Sequence, residues 1–346
     1  MPRSHPFTAH VPSLTNKEGI LYDVVGVGNA LVDMIAMVDD AFLASNDMVK
    51  GSMALIETER AVHLSTAVGA STRTSGGSGA NTIAGVASLG GDVAFIGKVA
   101  NDEFGDVFAA DMKNVGVDFR SGAPDSSVPT GRCIIAVTPD AQRTMNTFLG
   151  ISTQLSFSDL DADIISAGAV LYLEGYLFDR DLAKEAFRTA SKYAHEAGRK
   201  VSLTLSDSFC VDRHRSDFMA LIKNDIDILF CNEFELQSLY QTSSYEEALE
   251  KLRHDCEFGA VTRDKRGSVV INGDDVVHIE PEPVDQVVDA TGAGDMYAAG
   301  FLYGFTRGMK IEDCGRLGSL SASEVITHVG PRPLVQLSSL IPSHLR

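Results

Sequence analysis

The sequence predicts an α/β protein in which a central, mostly parallel sheet lies between two layers of helices, with a small second sheet beside it. Three observations carry this. Short apolar runs alternate with helical stretches along most of the chain. Two segments break that rhythm, with strand-like residues and no long helix between them. Two glycine-rich turns each run directly into a helix.

Strands of a parallel sheet are buried on both faces, so they read as continuous apolar runs. Tyr22 to Gly28 (YDVVGVG) is the first; Asp92 to Gly97 (DVAFIG) follows the segment from Gly76 to Gly91. Ala169 to Leu173 precedes the helical stretch Asp181 to Gly198, and Lys200 to Leu205, Ile226 to Cys231 and Gly259 to Val261 continue the alternation. The two exceptions are Met34 to Glu57 and Thr130 to Phe148, the second a hairpin with Pro139-Asp140 at its turn. Together they predict a β lid over one edge of the main sheet. Ser268 to Asn272 and Val276 to Glu280, joined at Gly273-Asp274-Asp275, form an antiparallel hairpin before a glycine turn and a long helix.

The chain has 346 residues, 44% of them hydrophobic, enough to bury a sizeable core and to exclude global disorder. The net charge of −18 argues against a nucleic-acid surface, which needs clustered Lys and Arg. No apolar run of about 18 residues predicts a membrane span. Residues 1–20 are polar, with Pro2, Pro6 and Pro12, and are expected to form a flexible arm ahead of a single domain over 21–340, in a cytoplasmic protein. Cys133, Cys210, Cys231, Cys256 and Cys314 include no CxxC pair, which predicts reduced thiols and no zinc site.

The sharpest motif is Asp289-Ala290-Thr291-Gly292-Ala293-Gly294-Asp295, followed by an apolar helical tract. A glycine turn at a helix N-terminus offers free N–H groups to an anion such as phosphate. A carboxylate at such a mouth would repel that anion, so Asp295 there suggests proton acceptance from an attacking hydroxyl; the plain alternative is a tight turn with an acid in the first helical turn. Ser75-Gly76-Gly77-Ser78-Gly79-Ala80-Asn81 opens a second helix, and Asn81 brings a donor and an acceptor suited to a polyol, or simply a helix cap. Gly26-Val27-Gly28-Asn29-Ala30-Leu31 begins like a dinucleotide fingerprint, but Leu31 stands where the third glycine belongs. Asp33 lies just past that strand, placed to accept from vicinal hydroxyls. Gly91 to Lys98 has one residue too many for a phosphate loop, and Val99 replaces its Ser or Thr. Asn232-Glu233-Phe234-Glu235 and Thr262 to Gly267 follow strands and offer polar groups to a metal–phosphate complex, or a capped helix and a solvated turn. Glu174 closes another strand, and the histidines show no catalytic spacing.

Gly76 to Asn81 and Asp289 to Asp295, in this order and separation, resemble the two signatures of the PfkB (ribokinase-like) family of sugar and nucleoside kinases, over Tyr22 to Pro333. One departure is Ala290, where many members have a small hydroxyl residue. The resemblance implies phosphoryl transfer from ATP to a primary hydroxyl, with Mg2+. It implies Asp295 as the base and the amides of Gly292, Ala293 and Gly294 as the anion hole. Asn29, Asp33, Gly76, Gly77, Asn81, Phe148 and Glu174 are implied on the acceptor, and Asn232, Glu235, Thr262 and Gly267 on ATP and Mg2+. Asp289 and Thr291 lie where some members bind a monovalent cation such as K+. The implied lid spans about 34–57 and 125–150.

Val25 to Ala36 and Arg143 to Gly150 are similar to the adenosine-kinase branch, which makes adenosine the expected acceptor; a free sugar such as ribose or fructose is the alternative. Phe148, Phe178 and Phe42 are the candidate platforms for a base. The expected partners are a small nucleoside or sugar and ATP, with no nucleic acid or membrane, in a monomer or homodimer.

Overall fold

The computed structural model describes residues 19–122, 127–140 and 142–345. Of the expected N-terminal arm only Gly19 and Ile20 fall within them, and residues 125, 126 and 141 of the expected lid lie outside. Among the described residues the strands are β1 (Tyr22–Val27), β2 (Leu31–Met37), β3 (Met53–Leu55), β4 (Thr72–Gly76), β5 (Val93–Gly97), β6 (Val117–Ser121), β7 (Gly131–Val137), β8 (Arg143–Phe148), β9 (Gly168–Glu174), β10 (Lys200–Thr204), β11 (Ile228–Asn232), β12 (Phe258–Thr262), β13 (Ser268–Asn272) and β14 (Asp275–Ile279).

The main sheet has the order β14-β13-β12-β11-β10-β9-β1-β5-β6, parallel from β12 to β6 and antiparallel at the β13–β14 edge. Alternate residues of each strand serve opposite layers. Val25, Leu171 and Leu203 pack with Phe187 and Phe218 of the helices Asp181–Glu196 and Ser208–Asp225. Val24, Val170 and Phe230 pack with Ile83 and Phe301 of the helices Ser78–Ser88 and Ala293–Thr306. This is the three-layer architecture expected. All five cysteines are buried, and among the described residues no helix is long and apolar enough to cross a membrane.

The second sheet runs β3-β8-β7-β2-β4. It contains the strands expected from the two excursions and also β4, an edge strand at Thr72–Gly76 that overlaps the start of the glycine motif. β6 was likewise not anticipated, because its short VDFRS run is only partly apolar. Leu31 starts β2 of this sheet and no helix follows β1 directly, a second reason the dinucleotide reading fails.

The register of the second sheet sorts its side chains. Asp33 pairs with Cys133 and Cys133 with Thr147, which pairs with Leu55; Ile35, Ile135, Met145 and Met53 form the next row, and Met37, Val137 and Arg143 the third. Asp33 and Arg143 mark this face as the one turned to the signature turns, as shown below. The opposite face holds Met34, Ile134 and Ala136 in a cluster with Leu43 and Leu64 of the covering helices. Phe148 is five residues from Arg143 and therefore falls on that covered face, where it pairs across from Arg132, whose guanidinium lies 5.9 Å from its ring centroid. It is not an acceptor platform. Phe42 packs on the same covered cluster. Phe178 is fully buried, stacked 4.4 Å from Phe218 and 5.7 Å from Phe187, so it too belongs to the core. Phe178→Ala is expected to cost about 3–5 kcal/mol in urea denaturation; a loss below about 1 kcal/mol would contradict the core assignment.

Candidate active site

The Asp289–Asp295 turn ends at the N-terminus of the Ala293–Thr306 helix, whose cap Gly292 takes φ +80°. A side chain there would strike Pro331, with a Cβ 2.7 Å from its backbone, so glycine is required twice over. Asp295 sits in the first helical turn and is partly buried. Its Oδ1 accepts from Ser78 Oγ at 2.6 Å and its Oδ2 from Asn81 Nδ2 at 3.3 Å, so the first turns of two helices meet at one carboxylate. The amides of Gly292, Gly294 and Asp295 donate to no described backbone group, as expected of a helix start. The anion-hole set expected from sequence is corrected at Ala293, whose N–H closes the turn on the Ala290 carbonyl at 3.2 Å.

Asp33 lies on the same side, buried on β2. A Cβ on Gly76 would stand 2.4–2.5 Å from its carboxyl group, and one on Gly77, at φ +96°, would meet the Asn29 carbonyl at 2.4 Å. The glycine pair therefore lets two loops close on the acid. Asn81 joins both ends of the site, giving Nδ2 to Asp295 and accepting from Arg332 Nε on Oδ1 at 2.8 Å. Arg332 is the principal residue missed by sequence reasoning. It stands between Pro331 and Pro333 in the tail, and that rigid Gly-Pro-Arg-Pro run is the signal that was available. Ser78, within a recognised motif but without an assigned role, is the second.

The side chains of Glu174 and Asn29 are engaged with each other and with the backbone, although Asn29 also lines a cavity. Glu174 is 1% exposed and accepts from the amides of Asn29 and Gly79 at 2.8 and 3.0 Å and from Asn29 Nδ2 at 3.0 Å, while Asn29 Oδ1 accepts from Ser152 Oγ at 3.0 Å. Both side chains are consumed in holding the loop after β1 against the Ser78–Ser88 helix. Asn232 and Glu235 form a reciprocal helix cap: Asn232 accepts from the amides of Phe234 and Glu235, and Glu235 accepts from Asn232 N and Nδ2 at 3.0 and 2.6 Å.

Thr262 and Gly267 line a cavity of about 390 Å3 together with Ala293, Gly294, Val287 and Ile326. A second cavity of about 390 Å3 is lined by Asn29, Leu55, Leu149, Tyr176, Arg213 and His214, among others. Asp289 and Thr291 are bound by Arg143 of β8, whose Nη1 donates to Asp289 Oδ2 and to Thr291 Oγ1, the latter at 2.9 Å. The second sheet is thus tied directly to the signature turn.

Carboxylates dominate the electrostatics. Burial pushes Asp295 up to about 6, against the hydrogen bonds from Ser78 and Asn81 and the charge of Arg332. Burial likewise raises Asp33 to about 6, opposed by Arg332 and Arg143, and Glu174 to about 7, opposed by its Asn29 and Gly79 donors. A carboxylate near 6 is ionised at neutral pH while still able to hold a proton in passing.

A profile of the pfkB family carbohydrate kinases matches residues 44–336. The chain is 47% identical to an adenosine kinase from Sinorhizobium meliloti, over 92% of this chain and 98% of that one, with a TM-score of 0.84. It is 46% identical to a probable sugar kinase protein from Rhizobium etli, over 92% and 97%, also with a TM-score of 0.84. A curated relative, adenosine kinase 2 from Arabidopsis thaliana, is 24% identical over 92% of this chain and 96% of its own length. The chain belongs to the PfkB family of kinases. It is a phosphotransferase acting on an alcohol group.

Two outcomes follow from the raised acids. The kcat/KM profile is expected to fall below an apparent pKa near 6, which belongs to the coupled acids jointly; a flat profile down to pH 4.5 would exclude a base of about this strength. Because the folded pKa of Asp295 exceeds the unfolded one, the wild type loses stability as pH rises through the interval from 3.8 to about 6. Asp295→Asn is therefore expected to melt above the wild type at pH 8, a gap that narrows toward pH 4, measured by thermal denaturation.

Proposed function

We propose that this kinase transfers the γ-phosphoryl group of ATP to the 5′-hydroxyl of a nucleoside, with adenosine as the acceptor, and that Asp295 is the general base. The observation that carries the reading is the meeting at Asp295 of an open helix N-terminus on one side and, on the other, Asn81 held by the half-buried Arg332, whose charge also acts on Asp33. An alcohol bound between Asp33 and Asn81 would present its primary hydroxyl to a carboxylate that lies beside the amides of Gly294 and Asp295. Those amides would take up the charge of the migrating phosphoryl group, so positioning and electrostatics do most of the work.

The nucleoside preference rests on the wall beyond Asp33. Leu55, Ile35, Ile135 and Met145 continue its face of the second sheet, and Leu55, Leu149 and Tyr176 line the adjoining cavity. A free pentose or hexose would leave these apolar groups against its hydroxyls, whereas a purine covers them. The name of the Sinorhizobium relative agrees with this reading. The sugar-kinase names of other relatives, including a 30% identical uncharacterized sugar kinase from Archaeoglobus fulgidus, keep a free sugar as the second reading.

The cavity beside Thr262 and Gly267 suits the nucleoside part of ATP, the stretch of turn at Gly294 its terminal phosphate. Mg2+ binds through one or two carboxylates, water and the phosphates themselves. Each Glu235 oxygen accepts one hydrogen bond from Asn232, which leaves a lone pair on each for an ion's water shell, so this pair fits an ion carried in with ATP. Mg2+ so held would offset charge on the phosphates. The chain's own residues bind, align and deprotonate the alcohol, and the second sheet, tied down through Arg143, keeps water from competing.

A panel of nucleosides and free sugars with Mg-ATP, scored for phosphorylated product, tests the acceptor: adenosine is expected to give the highest kcat/KM, and a free sugar ahead of every nucleoside would reverse the assignment. In the same assay Asp295→Asn should bind both substrates and lose about 10²–10⁴-fold in kcat. Near-normal turnover by that variant would remove Asp295 from the base role.

A further inference from the structure

We propose that the guanidinium of Arg143 takes the place of the monovalent cation at Asp289 and Thr291, so that the phosphate-binding turn is ordered by closure of the second sheet and not by K+. This rests on the reading of the Asp289–Asp295 turn as the phosphate site.

The donor set implied for a cation does not fit one. A carboxylate has about four lone-pair sites, and Asp289 has four donors. Its Oδ1 accepts from Thr291 N at 3.0 Å and Thr291 Oγ1 at 2.7 Å; its Oδ2 accepts from Gly330 N at 3.0 Å and from Arg143 Nη1. Thr291 Oγ1 in turn accepts from Arg143 Nη1 at 2.9 Å. The side chains of Arg143 and Asp289 are 9% and 8% exposed, so the pair is closed to solvent and the site already holds its positive charge. Burial raises the Asp289 carboxyl, but the donors from Gly330, Thr291 and Arg143 outweigh it and hold the group below the usual carboxylate range, so it stays ionised against the cation beside it.

The position of that charge in the chain gives it a consequence that K+ would lack. Arg143 begins β8 in the row of Met37 and Val137, so it is the second sheet that carries its charge to the turn. Its Nε and Nη2 are buried with no partner among the described residues, where Asp289 and Thr291 anchor its head group through Nη1. An arginine also stays charged at any working pH. Closure over the acceptor and neutralisation of Asp289 are therefore one event, and ordering of the turn is coupled to occupancy of the acceptor site.

The test is phosphorylation of adenosine by the full chain with Mg-ATP, in KCl and in tetramethylammonium chloride of equal ionic strength, beside a thallium(I) titration followed by NMR. The wild type is expected to turn over equally in both salts and to show no saturable thallium site. Arg143→Met is expected to lose turnover and to recover about fivefold or more of it with KCl. Activation of the wild type by KCl of about fivefold or more, or saturable thallium binding to the wild type that Asp289→Asn abolishes, would overturn the proposal. So would Arg143→Met with undiminished turnover in tetramethylammonium chloride. If adenosine is not phosphorylated at all, the acceptor assignment fails, and the thallium titration still decides the question of the cation.

Discussion

The carboxylate of Asp295 is pinned between the first turns of two helices that are 214 positions apart in sequence at Asn81. Much of the neighbouring structure reads as the means of keeping an acid there. Asp33, Glu174 and Asp295 are three carboxylates in one partly desolvated region, which is costly unless each finds donors or a cation. Glu174 finds backbone amides; Asp295 finds a serine and an asparagine; Asp33 lies in the field of Arg332 and Arg143. The nearby glycines follow from the same crowding, since side chains at Gly28, Gly76 or Gly79 would run into Glu174 or Asp33 within 3 Å.

The two sheets divide the labour. The main sheet carries the helix starts and the cavity beside Thr262, where backbone groups and small residues suit a phosphate chain. The second sheet carries Asp33, Arg143 and an apolar wall on one face, and hides its other face under helices. Period-two alternation does this with little sequence: Asp33 and Arg143 need only odd-numbered neighbours that are apolar, and Ile35, Met37, Met145 and Thr147 largely meet that need. The tail completes the arrangement. Pro331 packs on Gly292, and Arg332 reaches Asn81, so the last part of the chain braces both signature turns.

Most of the fold was legible, because buried parallel strands leave continuous apolar runs and the first helices leave glycine turns. β4 was not, since Thr72–Gly76 has no apolar run and is a strand only because β2 offers it a partner. Asp295, Asp33 and Asn81 were candidates from local chemistry and, with Gly77, from the family resemblance, and the structure brings them to one place. Phe148 was misread because its face depends on register, which a single sequence does not display. The structural use of Glu174 was not legible, because a buried acid that serves the backbone looks, in sequence, like one that serves a ligand. Arg332 and the partners of Asp289 depend on contacts between distant segments, and only the three-dimensional arrangement shows them.

The central claim is geometric: one acid lies between a primary alcohol and the place where a terminal phosphate is held. A crystal structure of the protein with adenosine and a non-hydrolysable ATP analogue tests it most directly. The account predicts the 5′-oxygen within about 2.6–3.2 Å of an Asp295 carboxylate oxygen, with the terminal phosphate against the amides of Gly294 and Asp295. An acceptor bound with that hydroxyl turned away from Asp295, or a terminal phosphate seated elsewhere than on this helix start, would contradict it.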